Sequence, residues 1–257
     1  ETLAPERLEL PGLDWPLELC PAADNLVTRA AQRLRDATGY RGGARIVLEK
    51  HIPIGAGLGG GSSDAAAVLA GLNRLWGLGL GQDRLRVLGA SLGCDIPAFL
   101  CGGALCMEGV GELLTPLGRA EPEPRPLQFL LVYPGFAVST RDIYARFNSD
   151  LTHGGPGDRF SRVVSGLEQG SAERVADGLY NALRPTVLQK YPVLEQFKKY
   201  LEAAGALGVE LTGSGSTLFA LVRDDQQGAD LEARFRREAG SPAWTCRVHT
   251  LGAVGAA

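Results

Sequence analysis

The chain lacks most of the features that would place it in a specialised class. It has no basic excess: 26 lysines and arginines stand against 29 aspartates and glutamates in 257 residues, a net charge of −3. A dedicated nucleic-acid binder carries a basic surplus that this composition does not supply. Long apolar runs are also missing. The best stretch, Leu127 to Val138, is short and broken by Pro134 and Gly135, so no membrane span is expected. No charged-then-apolar leader stands at the start. No CxxC pair links the scattered Cys20, Cys94, Cys101, Cys106 and Cys246, and no HxxxH links His51, His153 and His249. Reduced thiols in a cytoplasmic protein are expected, not a zinc site or a disulfide frame. The first residue is Glu, not Met, so a natural start further upstream is expected.

What remains is an ordinary globular balance, 45% hydrophobic and 21% charged, long enough for one large domain or two modest ones. Glu121-Pro-Glu-Pro-Arg-Pro126 cannot be helix interior and reads as a linker. It divides the chain into residues 1–126 and 127–257. In the first part, a helix with Leu26, Val27, Ala30, Ala31 and Leu34 on one face follows Asp24 and ends at Gly39. Arg45 to Lys50 reads as a strand. Beyond a glycine run, a helix starting near Ser62 to Ala65 carries the stripe Ala65, Val68, Leu69, Leu72 and Trp76. Asp83 is expected to cap a further helix, and Ala104 to Leu117 to form strands around Gly109-Val110-Gly111.

In the second part, Phe129 to Tyr133 reads as a strand, and Ser139 opens a helix with Asp142 three residues on. His153 to Asp158 is a glycine-rich loop. Helices are expected over Ser161–Gln169, Glu173–Leu183 and Pro192–Ala204. The strands Val209–Thr212 and Thr217–Val222 flank Gly213-Ser214-Gly215-Ser216, and a helix (Gln226–Arg237) and a strand (Trp244–His249) close the chain. The mixture has no regular βαβ rhythm, which argues for an α+β fold.

The glycine run is the most informative stretch. It comprises Pro53, Ile54, Gly55, Ala56, Gly57, Leu58, Gly59, Gly60, Gly61, Ser62 and Ser63. Without side chains, its amides can turn inward and approach a ligand. The helix that follows offers free N–H groups and the positive end of a dipole. A polyphosphate suits this cradle; a flexible loop with an N-cap serine is the plainer alternative. A Walker loop is excluded, because Ser62 stands where lysine is required. Gly55, Gly57 and Gly60 spell GxGxxG, but Pro53 interrupts the preceding strand and no strand-ending acid follows about twenty residues on.

These residues, with Asp64-Ala-Ala after them, resemble the ATP-binding motif of the GHMP kinases. The triple glycine, together with Gly93-Cys-Asp-Ile-Pro-Ala-Phe99, resembles the branch of that family that phosphorylates 4-diphosphocytidyl-2-C-methyl-D-erythritol. Asp24-Asn-Leu26, Glu108-Gly-Val-Gly-Glu112, Tyr133-Pro-Gly135 and Leu211-Thr-Gly-Ser-Gly215 extend the likeness over nearly the whole chain. The resemblance implies a two-domain fold, with a ribosomal-protein-S5-domain-2-like first domain, a ferredoxin-like second domain and the active site in the cleft between. It implies transfer of the ATP γ-phosphate to the substrate's 2-hydroxyl, with Mg²⁺ accompanying ATP. The magnesium ligands are not assigned by the sequence, nor is the choice between monomer and homodimer.

Residue roles follow from the same resemblance. Asp95 matches the catalytic aspartate, which accepts the substrate proton; a helix-end aspartate bonding local backbone is the alternative. Thr140 and Tyr144 match positions at the cytidine end, Tyr144 offering a stacking face; a core-packed tyrosine is the alternative. Thr212, Gly213, Ser214 and Gly215 match a motif lying against the phosphate loop; a simple hairpin turn is the alternative. Asn25 and Lys50, one of four lysines, lie where the family approaches adenine; a solvated strand-end lysine is the alternative.

The family's opening strand with Pro-x-Lys-x-Asn-Leu, and its Gly-Tyr-His, have no counterpart here, and Glu1-Thr2-Leu3 resembles the sequence just after them. The resemblance therefore implies a chain that starts inside the family's length, without the lysine that partners the aspartate, and with an exposed sheet edge. Other GHMP kinases, of the homoserine or mevalonate type, and a catalytically impaired nucleotide binder are the rival readings.

Overall fold

The computed structural model describes residues 8–10, 13–17, 23–117, 126–147, 157–239 and 243–251, the first two stretches as backbone only. Glu1–Leu3, most of the proline-rich linker and the start of the His153–Asp158 loop lie outside the described residues.

The first part is mainly helical. β1 (Leu8–Leu10) and β2 (Leu13–Leu17) form an antiparallel pair. In α1 (Leu26–Thr38), the Asn25 side chain accepts from the Val27 amide at 2.9 Å, and Gly39 closes the last turn. α2 (Gly60–Leu75) starts two residues before the expected Ser62, directly on the triple glycine. Asp83 sits in the first turn of α3 (Gln82–Ala90) and does not cap it; Gly81 holds the cap position. α4 (Ile96–Cys101) has Pro97 in its first turn, where a missing N–H costs nothing. Ala30, Leu34, Leu69, Leu72, Leu88 and Ile96 pack these helices around one buried core. β3 (Leu105–Glu108) and β4 (Leu113–Pro116) form the expected hairpin.

The strand expected at Arg45–Lys50 is not formed. Exposure does alternate from Arg41 to Lys50, but none of the described strands pairs with this segment. A period of two sets which side faces the core; it cannot supply the neighbour that makes a strand.

The second part is built on a four-stranded antiparallel sheet of order β6-β7-β5-β8. Its elements are β5 (Gln128–Tyr133), α5 (Thr140–Arg146), α6 (Arg159–Gln169), α7 (Ala172–Gly178), α8 (Arg184–Lys190), α9 (Val193–Ala203), β6 (Gly208–Leu211), β7 (Leu218–Val222), α10 (Asp225–Glu238) and β8 (Trp244–His249). With β5 and β7 central and helical crossovers on either side of the β6–β7 hairpin, this is the split βαβ arrangement of a ferredoxin-like fold. Leu130, Val132, Leu201, Leu218, Ala220 and Phe235 fill its core. The single helix expected over Glu173–Leu183 ends at Gly178, and α8 follows where no helix was expected. The Asn181 side chain turns the chain between them by accepting from the Leu183 amide at 2.9 Å. No helix among the described residues is long and apolar enough to cross a membrane.

Candidate active site

The glycine run lies between Lys50 and the first turn of α2. Gly59 occupies the N-cap with φ +68°, and no side chain caps the helix. Among the described residues, the amides of Gly60, Gly61 and Ser62 meet no acceptor, whereas the Ser63 amide reaches the Gly59 carbonyl at 2.9 Å. The Ser63 hydroxyl is committed to the Gly60 carbonyl at 2.8 Å, which leaves Ser62 with the open hydroxyl. Three unfilled amides at a positive dipole end suit an anion chemically.

The other side of the loop is clamped by the second part of the chain. The Val138 amide donates to the Gly55 carbonyl at 3.0 Å, and the Thr217 amide to the Ala56 carbonyl at 3.1 Å. The Thr212 hydroxyl donates to the Gly57 carbonyl at 2.7 Å. A Cβ on Gly57 would lie 2.4 Å from the Thr212 carbonyl oxygen, and its φ of +78° also suits glycine alone. So part of the glycine content serves close approach by the protein's own backbone. At Gly61 the situation differs: a Cβ there would meet only Leu26, at 3.5 Å. The open side of the cradle is therefore the start of α2.

Residues 212–217 do close a hairpin between β6 and β7, with the Thr212 amide on the Thr217 carbonyl at 3.0 Å. They also press on the glycine run, so both sequence readings of this motif hold. The Ser214 and Thr140 hydroxyls share a hydrogen bond of 2.8 Å, which ties the start of α5 to the turn beside Gly213. One helical turn on, Tyr144 is 63% exposed. It is not a core residue, and its ring is free to meet a ligand.

Asp95 stands at the N-cap of α4 but makes no capping bond with its side chain. It is exposed, and the Cys94 thiol lies 3.5 Å from its Oδ1. The alternative of a carboxylate spent on local backbone is thus not what is seen. Burial, and then the Asp95 charge, push the Cys94 thiol above its ordinary pKa. One turn along α4, the Phe99 ring covers Gly59, 2.8 Å from where a Cβ would stand. This contact brings Asp95's helix to the loop.

Lys50 is neither solvated nor on a strand. Its side chain is 7% exposed and ion-paired with Asp64, four residues into α2. Its ammonium lies 3.4 Å from the Cβ position of Gly60. Asn25 caps α1, and the adjoining Leu26 reaches Gly61. Lys50 and Asn25 thus both flank the start of α2.

Comparison with known proteins gives the family. The chain matches the GHMP kinases N terminal domain over residues 25–103 and the GHMP kinases C terminal domain over residues 163–241. The 4-diphosphocytidyl-2-C-methyl-D-erythritol kinase of Pelotomaculum thermopropionicum is 42% identical over 231 residues, 90% of this chain and 77% of that protein. The chain belongs to this kinase family. The enzyme of the same name from Symbiobacterium thermophilum is 39% identical over 89% of this chain and 80% of that protein. A crystal structure of 4-(cytidine 5'-diphospho)-2C-methyl-D-erythritol kinase superposes with a TM-score of 0.73 at 32% identity, covering 97% of this chain and 85% of that one. Homoserine kinase from Cytophaga hutchinsonii gives the same TM-score at 21% identity, over 90% of this chain and 77% of that one. That likeness shows the shared GHMP kinase fold alone.

Sequence reasoning singled out the glycine run, Asp95, Thr140 and Tyr144, but not the side chain that braces the turn beside them. Asn181 donates from its side chain to the Leu211 carbonyl at 2.9 Å and the Gly213 carbonyl at 2.7 Å, fixing the turn from behind. No local pattern announces an asparagine acting 30 residues away. Asp64 was visible only as part of a motif, with no partner to suggest its role. A separate cavity of about 480 Å³ opens against β6, lined by Arg159, Arg162, Asp177, Arg184, Lys198 and Glu210 among others, and shares no residue with the glycine run.

Proposed function

We propose that the chain transfers the γ-phosphate of ATP to the 2-hydroxyl of 4-diphosphocytidyl-2-C-methyl-D-erythritol, a step of non-mevalonate isoprenoid synthesis, in the cytoplasm. The observation that carries this reading is the uncapped start of α2: three amides without acceptors, the Ser62 hydroxyl and a buried lysine converge there, facing the Asp95 helix. The amides of Gly60, Gly61 and Ser62 take the phosphate oxygens, and the clamp from residues 212–217 keeps them aimed. Asp95, exposed and unbonded to backbone, accepts the proton of the attacking hydroxyl and orients its attack. Thr140, Tyr144, Gly213 and Ser214 receive the cytidine end, Tyr144 by stacking.

Among the described residues, no three His, Cys, Asp or Glu side chains gather to hold a metal. Mg²⁺ bound with ATP would neutralise the charge of the phosphate oxygens. The Ser62 hydroxyl and the Asp95 carboxylate are the open side-chain oxygens of the loop and of α4 that would help to hold it. The division into residues 1–126 and 127–257 is part of the same proposal, with the loop and residues 212–217 meeting across it.

A panel measured by ADP release tests the substrate. The diphosphocytidyl compound should exceed homoserine and mevalonate in kcat/KM by about 10⁴ or more, since a site built to bond a nucleotide rejects compounds without one. Preference for homoserine or mevalonate would overturn the proposal.

A further inference from the structure

We infer that the cavity of about 480 Å³ against β6 is a second ligand site, which takes a small polar molecule by a phosphate or carboxylate group. None of its lining residues belongs to the glycine run, to α5 or to α4, so the site stands apart from the ATP reading. Its volume lies within the range of small-molecule sites, roughly 300–1,000 Å³.

The floor of the cavity decides the sign of the ligand. β6 contributes Glu210, whose side chain is 3% exposed, while α8 and α9 contribute Arg184 and Lys198. Both Glu210 oxygens are already used. The Leu211 amide donates to Oε1 at 2.9 Å, and Arg184 donates to Oε2 at 2.5 Å. The carboxylate of the floor therefore has little left to offer a cation.

The two cations are in the opposite condition. A guanidinium has five N–H donors and an ammonium three. Among the described residues, Arg184 engages its carboxylate through one nitrogen, and Lys198 engages Glu202 alone, one turn along α9. The Lys198 side chain is only 16% exposed. Donors withdrawn this far need an acceptor, which water supplies until a ligand replaces it. An oxyanion accepts from the open guanidinium edge and from the ammonium together, through charge-assisted bonds.

The rim adds a guanidinium without an ion pair. Arg159 donates to the Leu179 carbonyl at 3.4 Å and lies 5.5 Å from the centre of the Tyr180 ring. Its neighbour Asp158 is paired instead with Arg162, at 2.9 Å. Asp177 and Glu202 put negative charge on the same rim. A mouth of both signs suits a molecule with hydroxyl or amine groups beside its anionic one, and an apolar molecule would strand these charges.

Isothermal titration of the whole chain with pyrophosphate and with citrate, AMP-PNP being held in excess, tests the site by binding alone. At least one probe should bind, one per chain. Lys198→Met, which keeps the apolar stem, should weaken that binding about tenfold or more, and the exposed Arg159→Ala several-fold. Neither should alter AMP-PNP affinity. Arg184→Met alone strands a buried carboxylate, so the double variant Arg184→Met/Glu210→Gln carries that arm and should also lose about tenfold. Tighter binding of pyrophosphate names a phosphate ligand and tighter binding of citrate a carboxylate; either supports the site. If neither probe binds, or if binding survives in both Lys198→Met and the double variant, the inference is overturned. Binding lost in Gly61→Val but kept in Lys198→Met puts the anion on the glycine run and overturns it as well. Should AMP-PNP itself fail to bind while a probe binds and still responds to Lys198→Met, the ATP site is in error and the cavity site stands.

Discussion

Thr212 donates its hydroxyl hydrogen to the Gly57 carbonyl at 2.7 Å, across 155 positions of sequence. The bond joins the hairpin of the second part of the chain to the loop of the first. Thr212→Val keeps the shape and removes the donor, leaving a half-buried carbonyl unpaired. We expect a loss of about 1 kcal/mol in urea unfolding and a several-fold weaker AMP-PNP affinity. Gly57→Ala should be worse on both counts, because its Cβ would strike backbone atoms that cannot rotate away. Wild-type nucleotide affinity in Gly57→Ala would show that the clamp does not shape the cradle.

Asp95 makes no capping bond with its side chain, and among the described residues only the exposed Cys94 thiol bonds it, so its removal should separate chemistry from stability. Asp95→Asn is expected to lower kcat by about 10² to 10⁴ while leaving the melting temperature and the KM for ATP close to wild type. The neighbouring thiol offers a second readout. Its raised pKa owes part of its shift to the Asp95 charge, so the pH midpoint of Cys94 alkylation should fall in Asp95→Asn. It should stay above that of an ordinary thiol, because burial is the larger cause.

Tyr144 is exposed at rest, so an alanine in its place should cost little stability. If it stacks on cytosine, Tyr144→Ala should raise the KM for the diphosphocytidyl substrate about tenfold, with the KM for ATP unchanged. Tyr144→Phe should keep the stacking face and bind normally. A rise in the KM for ATP would place this residue elsewhere in the reaction.

Glu210 is buried on β6 and paired with Arg184 at 2.5 Å. Burial pushes its carboxyl above the ordinary value, against the opposing pull of the Leu211 amide, Arg184 and Lys198. A carboxyl raised in the folded state holds its proton more tightly there than in the unfolded chain. Its contribution is full below the unfolded value and is lost as pH rises through the folded one. As pH rises above the ordinary carboxylate range, the wild type should therefore lose stability relative to Glu210→Gln. Urea unfolding of both proteins through that rise measures the difference. A parallel pair of pH profiles would show that Arg184 cancels the burial cost.

What the sequence made legible were features whose cause is local. Gly39 closes α1 and Ser139 caps α5 where expected, while the cap of α1 is Asn25, one residue past the expected Asp24, and α2 begins two residues before Ser62. Each rests on residues within one turn of each other, so a reader of the chain can find it. Arg45–Lys50 shows the opposite case: its alternation of exposure is real, but pairing depends on what lies alongside. Tyr144 and Lys50 were ambiguous for the same reason. A tyrosine on an amphipathic helix and a lysine beside a loop take their roles from distant elements. The structure resolved them in opposite directions, Tyr144 outward and Lys50 inward. Asn181 was invisible because its partners, Leu211 and Gly213, are fixed only once β6 and β7 have paired.

The three bonds from Val138, Thr212 and Thr217 to Gly55, Gly57 and Ala56 bear on how the protein is made. A ribosome releases the glycine loop long before it has synthesised the hairpin that braces it. At ordinary elongation speeds the gap is on the order of ten seconds. During that interval the nascent loop lacks the three bonds that brace it. The bracing of the loop is complete only late in translation, once the hairpin of the second part of the chain has met it.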